Sequence, residues 1–389
     1  MSFPVVRLGD VASLERTVVS PQDITDGTLY VGLEHIESGG RFLNVGPVIA
    51  GELASSKFVF TPRHILYGKL RPYLAKIARP SFAGVCSTDI LPLLPTSRVD
   101  ADYLRWLLLS PPMVARASSL AAGANLPRVS PSTLADLSIP LPSLPEQRRI
   151  AAILDKADAL RARRRAALAQ LDTLTQAIFL EMFGDPETNP GRWQVRRLGE
   201  LISTGPQNGL YKPSTDYGSG TPILRIDAFY DGVVTDMASL KRVRVSDDEL
   251  RSYELHAGDL VINRVNSRQY LGKSAIIRST IEPTVFESNM MRFAVDSHEL
   301  RPEFVIQYLQ SDIVRAHILR CAKDAINQSS INQQDVKAIP IYVPPLSDQD
   351  SFVSRAGAAV ALRTASERAI VASDELFASL QHRAFRGEL

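Results

Sequence analysis

Ile150, Ile153, Ala157, Leu160, Arg164, Ala167, Leu171, Leu174 and Ile178 follow one another in alternating steps of three and four, and all but Arg164 are apolar. That spacing predicts one helix over 143–184 whose seam lies along another helix. Ser143 and Glu146 have capping-box spacing at its start, and Gly184-Asp185-Pro186 stops it. About 40 residues at 1.5 Å each make a rod of roughly 60 Å. The chain before it has a different pattern. Short apolar runs between Gly and Pro predict strands over 28–36, 57–60, 65–70, 73–77 and 89–94. Residues 102–109 predict a helix stopped by Ser110-Pro111-Pro112. The polar stretch 185–192 is a linker, and a second strand-rich segment runs to about Pro345.

The pattern repeats. Val129, Leu134, Leu137, Ile139, Leu141, Pro142, Leu144, Glu146 and Gln147 recur 202 residues later as Ile331, Val336, Ile339, Ile341, Val343, Pro344, Leu346, Asp348 and Gln349. Leu174, Ile178 and Phe183 recur at the same offset of 202 as Leu376, Leu380 and Phe385. Looser matches pair Arg7-Leu8-Gly9-Asp10 with Arg197-Leu198-Gly199-Glu200, and Tyr73-Leu-Ala-Lys76 with Tyr270-Leu-Gly-Lys273. The chain is expected to be two copies of one unit, a globular segment followed by a helix. The boundaries are 1–142, 143–184, 185–345 and 346–389. The fold class is α+β, with the two long helices antiparallel about a pseudo-twofold axis. A centred register sets Arg164 opposite Ser366.

Composition is that of an ordinary globular chain, with 44 basic and 42 acidic residues. Two cysteines, Cys86 and Cys321, imply no disulfide framework. The absence of an apolar leader or long apolar run suggests a cytoplasmic protein. Catalytic signatures are weak. Ser110-Pro-Pro-Met113 lacks the aromatic that stacks a flipped base. Gly272-Lys273-Ser274 ends like a phosphate loop, but position 267 is Ser where the motif needs Gly. The six histidines show no metal-ligand spacing.

Charge segregation says more. Residues 53–88 hold Lys57, Arg63, Lys69, Arg71, Lys76 and Arg79 with no acid, and 260–281 hold Arg264, Arg268, Lys273 and Arg278 with no acid. Tyr, Asn and Ser are interleaved. Basic groups on strands with amide and hydroxyl donors between them suit a DNA groove, neutralising phosphates and reading base edges. The candidate DNA-binding residues are Lys69, Arg71, Tyr73, Lys76, Ser87, Thr88, Asn125 and Arg128 in the first copy. In the second they are Arg264, Asn266, Ser267, Lys273, Ser288, Asn289, Asn327 and Gln328. The run Arg161, Arg163, Arg164, Arg165 is either a solvated face or a docking stripe.

Leu141-Pro-Ser-Leu-Pro-Glu-Gln-Arg-Arg-Ile-Ala151, leading into a long helix, resembles the specificity (S) subunits of type I restriction–modification systems. So do the second copy Val343-Pro-Pro-Leu-Ser-Asp-Gln349 and the ending Ala384-Phe-Arg-Gly-Glu-Leu389. Leu66-Tyr-Gly-Lys-Leu-Arg-Pro-Tyr73 with Cys86-Ser-Thr-Asp89 resembles one recognition-domain type of that family. Gly258-Asp-Leu-Val-Ile-Asn-Arg-Val-Asn-Ser267, with Gly272-Lys273 and Ser288-Asn289, resembles another. At the second helix start Asp348-Gln349-Asp350 departs from the Glu-Gln-Arg of the first. The resemblance implies two target-recognition domains, each binding half of a split double-stranded DNA site, separated by a helical spacer. It also implies a chain without catalysis or cofactor of its own. Two modification subunits would carry S-adenosylmethionine, and two motor–nuclease restriction subunits would carry ATP and Mg²⁺. Glu146, Gln147, Arg161, Arg163 and Arg165 are the candidate contacts to the modification subunits. The alternatives are a self-sufficient DNA methyltransferase or nuclease, and an interaction scaffold with no nucleic-acid role.

Overall fold

In the computed structural model, which describes residues 3–234, 236–326 and 328–389, the first apolar seam forms two consecutive helices, Leu144–Leu171 and Leu174–Phe183. The Thr173 hydroxyl donates 3.3 Å back to the Gln170 carbonyl, the acceptor that the Leu174 N–H needs to continue the helix. The second seam forms one unbroken helix, Leu346–Ala384. The chain divides into two units, 1–166 with 367–389, and 167–366. Each therefore contains a globular segment, the start of the helix that follows it, and the end of the other.

In the first unit a four-stranded sheet has the order Ala12–Leu14, Ile90–Pro95, Ile65–Gly68, Ile77–Ala78. A five-stranded sheet runs Val18–Val19, Lys57–Phe60, Gly84–Cys86, Thr28–Val31, Gly46–Val48. The strand expected over 28–36 stops at Val31, and Leu33–His35 is a 3₁₀ turn. Of the strand expected over 73–77 only Ile77 is strand, in Ile77–Ala78: Pro72–Leu74 is a 3₁₀ turn flanked by Arg71 and Ala75, both left-handed at φ 49°. Ser110 does end the helix Ala101–Leu108, but Pro111 opens another, Pro111–Ser119, where its missing N–H costs nothing. Tyr103, Leu104, Trp106 and Leu107 pack with Ile150, Leu154 and Phe377 of the long helices. Apolar burial at roughly 25 cal/mol per Å² is the main force joining segment to helix.

In the second unit a six-stranded sheet runs Ile202–Asn208, Met290–Val295, Leu260–Asn263, Ser274–Ile276, Gly232–Val234, Phe229–Tyr230. Its core gathers Phe293, Phe304 and Tyr308 with Phe179, Phe183 and Phe352 of the long helices.

The repeat is visible in individual bonds. Gln147, 0% exposed, accepts from the Asp100 N–H at 2.7 Å and donates to the carbonyls of Arg98 (3.2 Å) and Pro142 (2.8 Å). Gln349, also 0% exposed, accepts from the Arg301 N–H at 2.8 Å and donates to the carbonyls of Glu299 (3.0 Å) and Pro344 (2.8 Å). Each amide ties the first turn of a long helix to the residue that opens the helix Ala101–Leu108 or Pro302–Leu309.

A second recurrence sets how the helices meet. In the first unit Arg161 Nε donates 2.6 Å to Asp374 Oδ1, and in the second Arg363 Nε donates 2.9 Å to Asp172 Oδ1. Arg161 and Arg363, and Asp172 and Asp374, are each related by the offset of 202, so the contact is antiparallel in both units. The expected Arg164–Ser366 register does not form. Arg164 Nη1 instead donates to the Ala369 carbonyl at 2.9 Å and to the Ser373 hydroxyl. The repeat-related ion pairs belong to this shifted register, in which 161 faces 374 and 172 faces 363.

Cys86 is fully buried on its strand, and burial pushes its thiol up to about 12, whereas Cys321 is half-buried. The thiolate is the reactive form. Iodoacetamide at pH 8 should therefore modify Cys321 in the folded protein at least tenfold faster than Cys86. Equal rates by peptide mass spectrometry would contradict the packing of Gly84–Cys86.

Candidate nucleic-acid interface

Both units build the same clasp beyond the end of a central strand. In the first, the Lys69 N–H donates 2.9 Å to the Asp89 carbonyl, and the Lys69 carbonyl accepts from the Val129 N–H at 3.1 Å. In the second, the Arg264 N–H donates 2.8 Å to the Asn289 carbonyl, and its carbonyl accepts from the Ile331 N–H at 2.9 Å. Three separated stretches of chain thus converge on one backbone position in each copy.

On the first clasp, Asp89 Oδ1 lies 3.2 Å from Arg128 Nε and 3.8 Å from Lys69 Nζ. One carboxylate holding two cations leaves a net positive group. Asp89, part of a motif in the sequence, is not among the candidate DNA-binding residues, because its role depends on residues 20 before and 39 after it in the chain. The Arg71 N–H donates 2.7 Å to the Pro127 carbonyl, which brings the 122–128 loop alongside. Arg71, Thr88 and Asn125 are exposed, as is Tyr73 at 54%. Ser87 is half-buried, its hydroxyl accepting from the Asp89 N–H at 3.3 Å.

Lys76 does not join them. Its ammonium donates 2.6 Å to the Leu33 carbonyl and staples a loop. Two more cations of the basic stretch are similarly occupied, while Arg63 is exposed. Lys57 is buried on Ser55, and Arg79 pairs with Asp102.

On the second clasp, Arg264 Nη1 donates 3.1 Å to the Ser288 carbonyl, while its buried Nε has no partner. The hairpin Lys323–Ala325 and Gln328–Ser330 pairs onto Val265–Asn266. It thereby carries exposed Gln328 to Asn266 and exposed Ser267. Asn266 Oδ1 accepts from the Ser267 N–H at 2.8 Å. Arg268 reaches across to Asp324 at 2.5 Å and braces the hairpin, a pairing invisible to a reading that counted Arg268 as a free cation. Ser288 and Asn289 are half-buried beneath, and Asn327 lies outside the described residues. Lys273 is a correction parallel to Lys76. Its ammonium donates 2.7 Å to the Ile226 carbonyl and lies over the Tyr230 ring at 4.0 Å, and burial holds its pKa below the usual lysine value.

The expected partner stripe changes most. Gln147 is the internal tether already described and has no surface to offer. Glu146 does not cap the helix start by reaching back; both its oxygens accept from Arg149 at 2.8 Å. Arg161 pairs with Asp374 and stacks over Phe377 at 4.3 Å from the ring centroid, and Arg165 donates to both Asp374 oxygens at 2.8 and 2.9 Å. Their hydrogen bonds, that of Arg161 first, hold the Asp374 carboxyl below its ordinary value. Of the three arginines Arg163 stays exposed, with no ion pair to another described residue.

The family described as type I restriction modification DNA specificity domain matches residues 3–170 and again 190–356. The chain belongs to that DNA-specificity family. The EcoKI specificity subunit of Escherichia coli K12 is 27% identical to this specificity chain over 325 residues, covering 79% of this chain and 69% of that one. The EcoDI specificity subunit of Escherichia coli is 32% identical over 204 residues, covering 51% and 44%. A chain solved in work on assembly and conformational transition of the type I restriction–modification system has a TM-score of 0.65 at 21% identity, covering 100% and 98%. The S subunit from M. genitalium has a TM-score of 0.57 at 15% identity, covering 98% and 96%. These likenesses support the fold of the specificity chain, with its doubled α+β segment and long helices. Among the described residues no helix is long and apolar enough to cross a membrane.

Proposed function

We propose that this specificity subunit recognises a two-part, asymmetric sequence in double-stranded DNA, one half through each clasp. The observation that carries the reading is the repetition of one backbone clasp with different side chains. Lys69, Asp89 and Arg128 stand on one copy, and Arg264, Asn266 and Gln328 on the other. Identical scaffolds with different donors suit two different half-sites. The long helices space the halves. A 39-residue helix is about 58 Å long, enough to bridge half-sites one turn, roughly 34–36 Å, apart. The partners are DNA and the modification and restriction subunits of such a system, two of each. S-adenosylmethionine, ATP and Mg²⁺ belong on those partners. Exposed Arg163 is the one of the candidate arginines still offered to them from the first long helix, beside exposed Arg148 and Lys156.

The test is methylome sequencing of cells expressing this chain with modification subunits, beside duplex-binding titrations in increasing salt. Methylation should fall on one sequence in two parts, and affinity should drop steeply with salt. The chain alone should neither methylate nor cut. Methylation by the purified chain alone would replace this reading with a self-sufficient enzyme, and salt-independent binding would remove the phosphate contacts.

A further inference from the structure

The two copies differ beside the clasp, and the second unit has a cavity there. Strand register makes Ser274 the counterpart of Ile77, since Ile262 pairs with Ser274 as Tyr67 pairs with Ile77. Ile77 fills its core at 2% exposed, whereas Ser274 is 3% exposed with a hydroxyl that has no partner. The volume that an isoleucine would fill adjoins a cavity of about 410 Å³ between the 269–274 segment and the helices Pro302–Leu309 and Asp312–Cys321.

Its floor is apolar, with Leu271, Leu309, Val314 and Ile318. Its mouth carries two half-exposed rings, Tyr230 at 47% and Tyr270 at 41%, standing on either side of the Lys273 ammonium at 4.0 and 5.5 Å from their centroids. Gln269, Gln310, Arg315 and one carboxylate, Asp231, complete the wall. Two glycines bring the backbone close enough to shape it. A Cβ on Gly232 would meet the Gln310 amide nitrogen at 2.2 Å, and one on Gly272 would meet Ile318 at 2.9 Å.

We propose that this cavity is a nucleotide-binding site, taking a base on the exposed face of Tyr270 with its edge toward Ser274 and Gln310 and its phosphate toward exposed Arg315, the Lys273 ammonium being already held by the Ile226 carbonyl and the Tyr230 ring. The chemistry matches group by group. Aromatic faces accept any base by stacking. An apolar floor with a few placed polar groups is how small-molecule sites are built. A buried unpaired hydroxyl is a group in want of a partner. One water could satisfy that hydroxyl, but the space holds on the order of ten waters at their liquid volume. The nucleotide could be free, or it could be an unstacked nucleotide of bound DNA. The site goes beyond recognition of a duplex, because base-edge reading requires no cavity beside the strand.

Titration of the full chain with dAMP, dGMP, dCMP and TMP, followed by tyrosine fluorescence and saturation-transfer NMR, tests it. A parallel titration uses duplexes carrying 2-aminopurine. At least one probe should bind saturably. Tyr270→Ala should weaken that binding at least tenfold, and Ser274→Ile, which restores the filling of the first copy, should abolish it. Thermal melts establish that both variants fold. Binding of the mononucleotides assigns the free ligand, and a 2-aminopurine signal alone assigns DNA as the source. No saturable signal with any probe, or binding that survives Ser274→Ile in a folded protein, overturns the site. Duplex binding by the wild-type chain is read separately, so loss of the cavity proposal leaves the DNA-specificity reading standing.

Discussion

Gln349→Ala is expected to destabilise the second unit by about 3 kcal/mol, through loss of hydrogen bonds to buried backbone groups. The side chain is fully buried and makes three such bonds, accepting from the Arg301 N–H and donating to the Glu299 and Pro344 carbonyls. Alanine leaves all three backbone groups without a partner and a hole where the amide stood. Arg301 is also the residue that opens the helix Pro302–Leu309, whose Phe304 packs against Phe179 and Phe183. Damage at the tether therefore reaches the aromatic cluster. Urea unfolding followed by circular dichroism measures the effect, with exposed Gln170→Ala as the neutral control. Gln147→Ala should behave like Gln349→Ala because it loses the same set of bonds. A stability loss below 1 kcal/mol in both, with weakened subunit assembly, would instead return Gln147 to the partner surface.

The second large effect is on recognition. Arg128→Ala should weaken binding of the cognate site by roughly 1–3 kcal/mol, about 5- to 150-fold, and relax one position of one half-site. Arg128 shares Asp89 with Lys69, so its guanidinium is aimed without being buried. Removing it also frees Asp89, which turns a net positive group into a neutral pair, and part of the loss should appear at every sequence. Gln328→Ala on the second clasp should relax a position in the other half only. Methylome sequencing of each variant separates the two. A single substitution that altered both halves would contradict one half-site per unit.

The architecture could be read from the sequence because its signals are periodic. Steps of three and four gave the long helices, and an offset of 202 gave the repeat that Gln147 and Gln349 make literal. What failed was whatever depends on a partner far along the chain. Lys76 and Lys273 looked like free cations, but their ammonium groups end on carbonyls 43 and 47 residues away. Arg161 and Arg165 were candidate contacts to the modification subunits, yet they meet a carboxylate 213 and 209 residues on. The strand expected over 73–77 failed for a different reason. Left-handed backbone at Arg71 and Ala75 is rare for residues with a Cβ, and no apolar pattern announces it. The clasp residues fared better, since Lys69, Arg71, Tyr73 and Arg128 do come together. The role of the carboxylate that organises them was found only in space.

The glutamine tethers read only peptide groups. Every bond from Gln147 or Gln349 into the globular segment ends on a main-chain N–H or carbonyl, never on a side chain. A socket of that kind is blind to the sequence it holds. Mutation, or recombination between genes, can rewrite the DNA-facing side chains of one half without loosening its mount, provided the backbone keeps its path. The mount itself thus leaves each half free to drift toward a new target while its sibling keeps the old one.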